Sequence, residues 1–128
     1  MAAQVRAILP VFCGISGSCR TIFIFIILFE TSRNELYILY YYTTKAPKAY
    51  TEIEEYPESV YIMFGKESKG LPEELLRDNR EHCVRIPMRS TLRSLNLSNS
   101  VAIAVYEILR HDNFDGLCET GELTKYSW

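Results

Sequence analysis

Two short stretches hold residue types and spacings that suit a binding site. Phe64-Gly65-Lys66-Glu67-Ser68-Lys69-Gly70-Leu71-Pro72 puts two glycines around four polar residues. Glycines there either bring backbone amides close to a ligand or permit a tight turn. The spacing fits neither a Walker phosphate loop nor a dinucleotide fingerprint. Ser94-Leu95-Asn96-Leu97-Ser98-Asn99 sets short polar side chains just ahead of an apolar-periodic stretch. Ser98 or Asn99 suits a helix cap. Ser94 and Asn96 lie upstream of that cap, which makes them candidates for work in a site.

The elements that position these stretches read as follows. Residues 36–42 (Leu-Tyr-Ile-Leu-Tyr-Tyr-Tyr) are aromatic and branched and end at Thr43-Thr44-Lys45, a strand running into a loop. Residues 60–64 are a second apolar run, stopped by Gly65, and residues 83–86 a third, stopped by Pro87. Runs without clean alternation suit strands covered on both faces, as in a parallel sheet between helices. Pro72, as first helical residue, with Glu73 and Glu74 in the first turn, predicts a helix to about Asp78. A longer helix starts near Ser98 or Asn99. It sets Val101, Val105, Ile108 and Leu109 on one face and ends around Arg110 and His111. Residues 113–128 read as an irregular tail. In open α/β sheets ligands bind beyond the carboxyl ends of the strands. Loops starting at Thr43, Gly65 and Pro87 are therefore expected to surround one site.

The 128 residues fit one domain with a real core, at 48% hydrophobic and 23% charged composition. A net charge of −2 gives no protein-wide field to attract a polyanion. Lys45, Lys48, Lys66, Lys69, Arg85, Arg89 and Arg93 nevertheless lie in or beside the three loops, as a basic rim or a solvated surface. Cys13, Cys19, Cys83 and Cys118 are too dispersed for a disulfide framework or a zinc ribbon, so reduced thiols in a cytoplasmic protein, with no metal, are expected. The apolar residues 22–29 are too few for a membrane span of roughly 20 residues, so no membrane association is expected; they read as a buried strand.

Together, Phe-Gly-x-Glu-x-x-Gly-Leu-Pro at residues 64–72 and Ile86-Pro87-Met88 followed by Ser94-Leu95-Asn96-Leu97-Ser98-Asn99 resemble the second and third motifs of the SpoU family, tRNA ribose 2′-O-methyltransferases of the SPOUT superfamily. Residues 36–110 carry the resemblance. Thr43-Thr44-Lys45 and the third motif's wording resemble the small subgroup acting on cytidine or uridine at the tRNA wobble position, nucleotide 34. The resemblance implies an α/β fold, a parallel sheet flanked by helices, with a C-terminal deep trefoil knot. It implies S-adenosylmethionine as cofactor, the tRNA anticodon stem-loop as substrate and a homodimer whose last helix packs across a two-fold axis. Ala102, Val105, Tyr106 and Leu109 offer an apolar face for that interface, or for the chain's own sheet.

Residue by residue, the resemblance implies cofactor contacts from Tyr42, Gly65, Ile86 and Ser94, with Leu71, Met88 and Leu95 beside them. Ser94, Asn96 and Glu67 match the polar residues around the reacting centre, Glu67 also serving as a loop-closing carboxylate. Arg93 and Lys69 are the candidate RNA contacts. The reaction implied is in-line attack of a ribose hydroxyl on the sulfonium methyl, with the protein supplying orientation and help with the proton.

The family's first motif, Asn-x-Gly followed after three residues by Arg, is missing; residues 13–21 are the nearest text and lack the Asn. Residues 1–33 match none of the family's N-terminal half, and form a divergent segment before a methyltransferase domain at residues 34–128. A truncated or misread frame, a foreign start joined to a faithful end, accounts for that pattern. The alternative reading is an inactive relative that retains the cofactor loops and the dimer surface.

Overall fold

The computed structural model describes residues 4–8, 25–30, 37–57, 59–65 and 69–128, with residues 4–8, 25–30, 37 and 59 described as backbone only. Six strands form one sheet: β1 (Gln4–Ile8), β2 (Phe25–Glu30), β3 (Tyr37–Tyr42), β4 (Lys48–Ala49), β5 (Ser59–Phe64) and β6 (Cys83–Arg85). Their spatial order is β1-β2-β5-β3-β6-β4. Two helices flank it, α1 (Glu73–Asp78) and α2 (Leu97–His111).

β5, β3, β6 and β4 run parallel, as expected for strands with both faces covered. Alternation along β3 sends Tyr40 and Tyr42 to one face, beside Val60, Ile62 and Phe64 of the in-register β5, and α2 covers this face with Ala104, Ile108 and Leu109. Tyr41, Met63 and Cys83 join the opposite cluster, to which α1 contributes Leu76. Ile62 and Val84 are fully buried at the centre.

The sheet is not parallel throughout. β2 pairs antiparallel with β5, and β1 antiparallel with β2. Connection length explains the direction. Glu30 at the end of β2 and Tyr37 at the start of β3 both pair with Ser59, and only residues 31–36 join them. A parallel crossover needs a dozen or more residues, so β2 must run opposite to β3. The expected strand within residues 22–29 is seen at Phe25–Glu30; residues 22–24 and the side-chain burial of the run lie outside the description.

Helix boundaries carry two corrections. Pro72 is the cap of α1 rather than its first residue, with φ −58° and ψ 136°, and its carbonyl accepts from Leu76 N at 3.2 Å. α2 begins at Leu97, and its cap is Asn96, not Ser98 or Asn99. β4 was not expected, since two residues are too short to show alternation. Beyond α2, Asn113 and Phe114 take positive φ (51° and 54°), which turns the chain back so that Phe114 packs against the core. Apart from that turn the segment to Trp128 has no regular secondary structure, as its composition suggests.

Candidate functional site

The carboxyl ends of β3, β5 and β6 open into one cleft of about 540 Å³, lined by all three expected loops. From the β3 end come Tyr42, Thr43, Thr44 and Lys45. This turn is fixed by Thr43 N donating to Val84 O at 3.0 Å and Ala46 N donating to Thr43 O at 3.3 Å. Lys45 N also donates to the Thr43 hydroxyl at 3.3 Å.

From the β5 end come Phe64, Gly65, Lys69, Gly70 and Leu71. Here the backbone folds back on itself. A Cβ added at Gly65 would meet the Gly70 carbonyl carbon at 2.2 Å and the Leu71 nitrogen at 2.4 Å. Only hydrogen fits at 65, whereas Gly70 has open space around it but a φ of +66°. The first glycine permits close approach and the second a left-handed turn. Leu71, buried below, anchors the loop in the core.

From the β6 end come Ile86, Met88, Arg93, Ser94 and Leu95, followed by Leu97 and Ser100 of α2. The nine residues Tyr42, Gly65, Lys69, Leu71, Ile86, Met88, Arg93, Ser94 and Leu95, which the sequence singled out, are thus gathered on a single cleft. Asn96 is not among its lining residues. Its Oδ1 accepts from Ser98 N at 2.9 Å, from Asn99 N at 3.4 Å and from the Ser98 hydroxyl, so it organises the start of α2. The expectation that Asn96 lies too far upstream to cap fails because the helix starts earlier. Glu67, with Lys66 and Ser68, lies outside the described residues.

Thr43, Thr44, Lys45, Phe64, Gly70, Leu97 and Ser100 line the cleft without having been singled out as contacts. Phe64 was detectable as the strand-end partner of Tyr42. Ser100 was not: its hydroxyl donates to the Asn96 carbonyl at 3.1 Å, four residues back along α2.

The floor of the cleft is aromatic. Tyr42 and Phe64 stack with ring centroids 4.9 Å apart at 26°. The Tyr42 hydroxyl is buried with no hydrogen-bond partner among the described residues. Burial raises its pKa strongly, and the neighbouring Tyr56 and Glu107 add to this. The Tyr56 phenol is pushed up to about 12, again chiefly by burial. Behind the floor, buried Glu107 accepts from Arg110 at 3.0 and 2.9 Å and lies 3.3 Å from His111. At the rim Lys69 and Arg93 are exposed, and Lys45 is paired with Glu73. Among the described residues no group of His, Cys, Asp and Glu could hold a metal ion, and no helix is long and apolar enough to cross a membrane.

Comparison with known proteins connects this arrangement to an enzyme family. Residues 28–106 match the profile of the SpoU rRNA Methylase family. A protein of Geobacillus stearothermophilus, provisionally named a tRNA (cytidine(34)-2′-O)-methyltransferase, is 46% identical over 81 residues, covering 61% of this chain and 52% of the relative. The tRNA (cytidine(34)-2′-O)-methyltransferase of Burkholderia cenocepacia is 53% identical over 57 residues, 44% of this chain and 36% of the relative. A crystal structure of an RNA methyltransferase, so named provisionally, from Bacillus anthracis superposes with a TM-score of 0.53 at 41% identity, covering 64% of this chain and 54% of that one. A structure from work on the 2-OH methylation of C/U34 on tRNA superposes with a TM-score of 0.53 at 32% identity, covering 61% and 49%. The chain spans about half the length of the first of these relatives.

Proposed function

Because the chain belongs to the SpoU rRNA methylase family, we propose that it serves S-adenosylmethionine-dependent transfer of a methyl group to the ribose 2′-hydroxyl of the tRNA wobble nucleotide, cytidine or uridine at position 34. The observation that carries this reading is the convergence of Tyr42, Gly65, Leu71, Ile86 and Ser94, from three separate loops, on one cleft.

The residues present fit such a cofactor. A cleft of about 540 Å³ falls within the range of roughly 300–1,000 Å³ usual for small-molecule sites. Tyr42, Phe64, Leu71, Ile86, Met88 and Leu95 offer apolar surface to a flat heterocycle, and the glycine-walled loop offers backbone amides and carbonyls. When bound, the cofactor supplies an activated methyl group on a sulfonium.

The chain's own part is orientation. Ser94, exposed and lining the cleft, offers a hydroxyl to the incoming ribose or the cofactor's polar end. Asn96 acts through α2, holding the helix start from which Leu97 and Ser100 face the cleft. Lys69 and Arg93 at the rim suit RNA phosphates. With the cofactor bound, the methyl–sulfur bond would break as the ribose oxygen–carbon bond forms, and the 2′-hydroxyl proton would pass to solvent water. Glu67 is assigned to the reacting centre by motif alone.

The proposal extends to the finer family features: residues 34–128 as the methyltransferase domain, a deep C-terminal trefoil knot, a homodimer through α2 and a cytoplasmic setting. Of the four residues offered for that interface, Val105 and Leu109 pack against the chain's own core, and exposed Ala102 and Tyr106 are the part left to support the dimer reading. The test is calorimetric titration of the purified chain with S-adenosylhomocysteine, beside a Gly65→Trp control. Saturable binding lost in the control is expected, followed by methyl transfer to tRNA. Absence of binding by folded protein would sink the reading.

A further inference from the structure

Lys45, which lines the cleft, forms an ion pair with Glu73 just outside its lining, and each stands on a separately anchored segment. Lys45 ends the turn whose amides are bonded to Val84 O and to the Thr43 carbonyl and hydroxyl. Glu73 opens α1, directly after buried Leu71 and the Pro72 cap. The pair therefore ties the wall built from residues 43–45 to the helix that follows the wall residues Gly65 and Lys69–Leu71. The fold does not depend on it. Ala46, next to Lys45, and Leu71 and Leu76, on either side of Glu73, belong to one buried cluster that carries the stability of both segments, which leaves the exposed Lys45 and Glu73 side chains to join them at the surface. Exposed pairs contribute little to stability.

We propose that the Lys45–Glu73 pair is a rim clasp for the cofactor, a positioning pair that holds the first and second walls together and sets how slowly the bound molecule leaves. This rests on the cofactor reading above. The Lys45 ammonium, through its hydrogen bond and then its charge, holds the Glu73 carboxyl below its ordinary value. Lys45 is engaged by Glu73 rather than standing alone at the rim.

The experiment is S-adenosylhomocysteine release from the full chain, followed at low salt for wild type, Lys45→Met, Glu73→Gln, the double variant and the charge swap Lys45→Glu with Glu73→Lys. A clasp predicts that each single variant releases about three- to fivefold faster, the scale of an exposed pair. The double variant is then no faster than either single one, the swap restores slow release, and thermal midpoints stay together. Faster release from Lys45→Met with unchanged or slower release from Glu73→Gln overturns the clasp, since Lys45 then contacts the ligand by itself. Midpoints falling in step with the faster release also overturn it, by making the pair an element of the fold. Folded wild type that does not bind at all overturns the clasp together with the cofactor reading, whereas binding with unchanged release in every variant overturns the clasp alone.

Discussion

Tyr42 and Phe64 close adjacent parallel strands in register, and their rings stack 4.9 Å apart at the point where both strands give way to loops. This one contact belongs to the core and to the cleft at once. The face of the sheet that α2 covers continues, without a break in packing, into the floor of the candidate site. Cleft shape is thus set by the register of β3 against β5 rather than by loop conformation alone.

The Tyr42 hydroxyl tests how far that floor depends on its polar end. It is buried beside the Tyr56 hydroxyl, and neither group has a hydrogen-bond partner of ordinary geometry among the described residues. Removing an unsatisfied buried group is close to neutral or stabilising. Tyr42→Phe is therefore expected to leave the thermal midpoint unchanged or slightly raised, with S-adenosylhomocysteine affinity intact. Tyr42→Ala should lose about 3–5 kcal/mol of stability by the usual cost of truncating a buried aromatic. Urea denaturation of the two variants separates ring from hydroxyl.

Gly65→Ala is a one-carbon change with a large expected effect. Its Cβ would lie 2.2 Å from backbone, which no rotamer change relieves. The loop must shift, and overpacking of this kind costs about 1–3 kcal/mol. Titration should show at least a tenfold loss of cofactor-analogue affinity, equivalent to about 1.4 kcal/mol. Wild-type affinity in Gly65→Ala would mean the loop does not shape the site.

Asn96 separates a structural from a chemical role. As the cap of α2 it should lose about 0.5–2 kcal/mol on mutation to Ala, and most of that should return in Asn96→Asp or Asn96→Ser, which also cap. Methyl transfer should follow stability through this series. A loss of rate in Asn96→Asp with an unchanged midpoint would instead assign the side chain to the reaction.

Glu107 predicts a pH dependence. The hydrogen bond from Arg110 is the main cause holding its carboxyl below the ordinary value of 4.5; burial opposes this, and the charges of Arg110 and His111 assist it. A depressed carboxylate contributes stability that is complete above the unfolded-state value and lost as pH falls through the folded one. At neutral pH, Glu107→Gln should be less stable by about 1 kcal/mol, because Arg110 is largely exposed. Thermal melts from pH 7 to pH 3 should show that gap closing below about pH 4.5. A gap that persists at pH 3 would assign the effect to packing.

Much of this architecture was legible in the chain because its signals are local. Three apolar runs, each stopped by a polar turn, a glycine or a proline, give β3, β5 and β6 to within a residue or so. Covered strands in that order bring their loop ends together, which made a single site legible, while the individual residues now seen on the cleft were named by the motifs' resemblance to the family. What was not legible depends on distance or on small energy differences. The direction of β2 follows from the short span of residues 31–36, a constraint visible only once its pairing partner is known. The cap of α2 is not legible because Asn96, Ser98 and Asn99 are chemically almost equivalent caps; the helix starts at Leu97, half-buried against the core, and so takes Asn96. The Lys45–Glu73 pair joins residues 28 apart, and periodicity carries no information on such a contact.

The two glycines of the loop after β5 are guarded by different kinds of constraint. At Gly65 the prohibition is volume: matter already occupies the place a side chain would take. At Gly70 it is handedness: space is open, but the backbone lies where an L-residue is strained. Mutational tolerance at the two positions should therefore differ in character. Position 70 admits Asn or Asp at modest expense, since those residues visit left-handed torsions, while position 65 admits nothing larger than hydrogen until the opposite backbone moves.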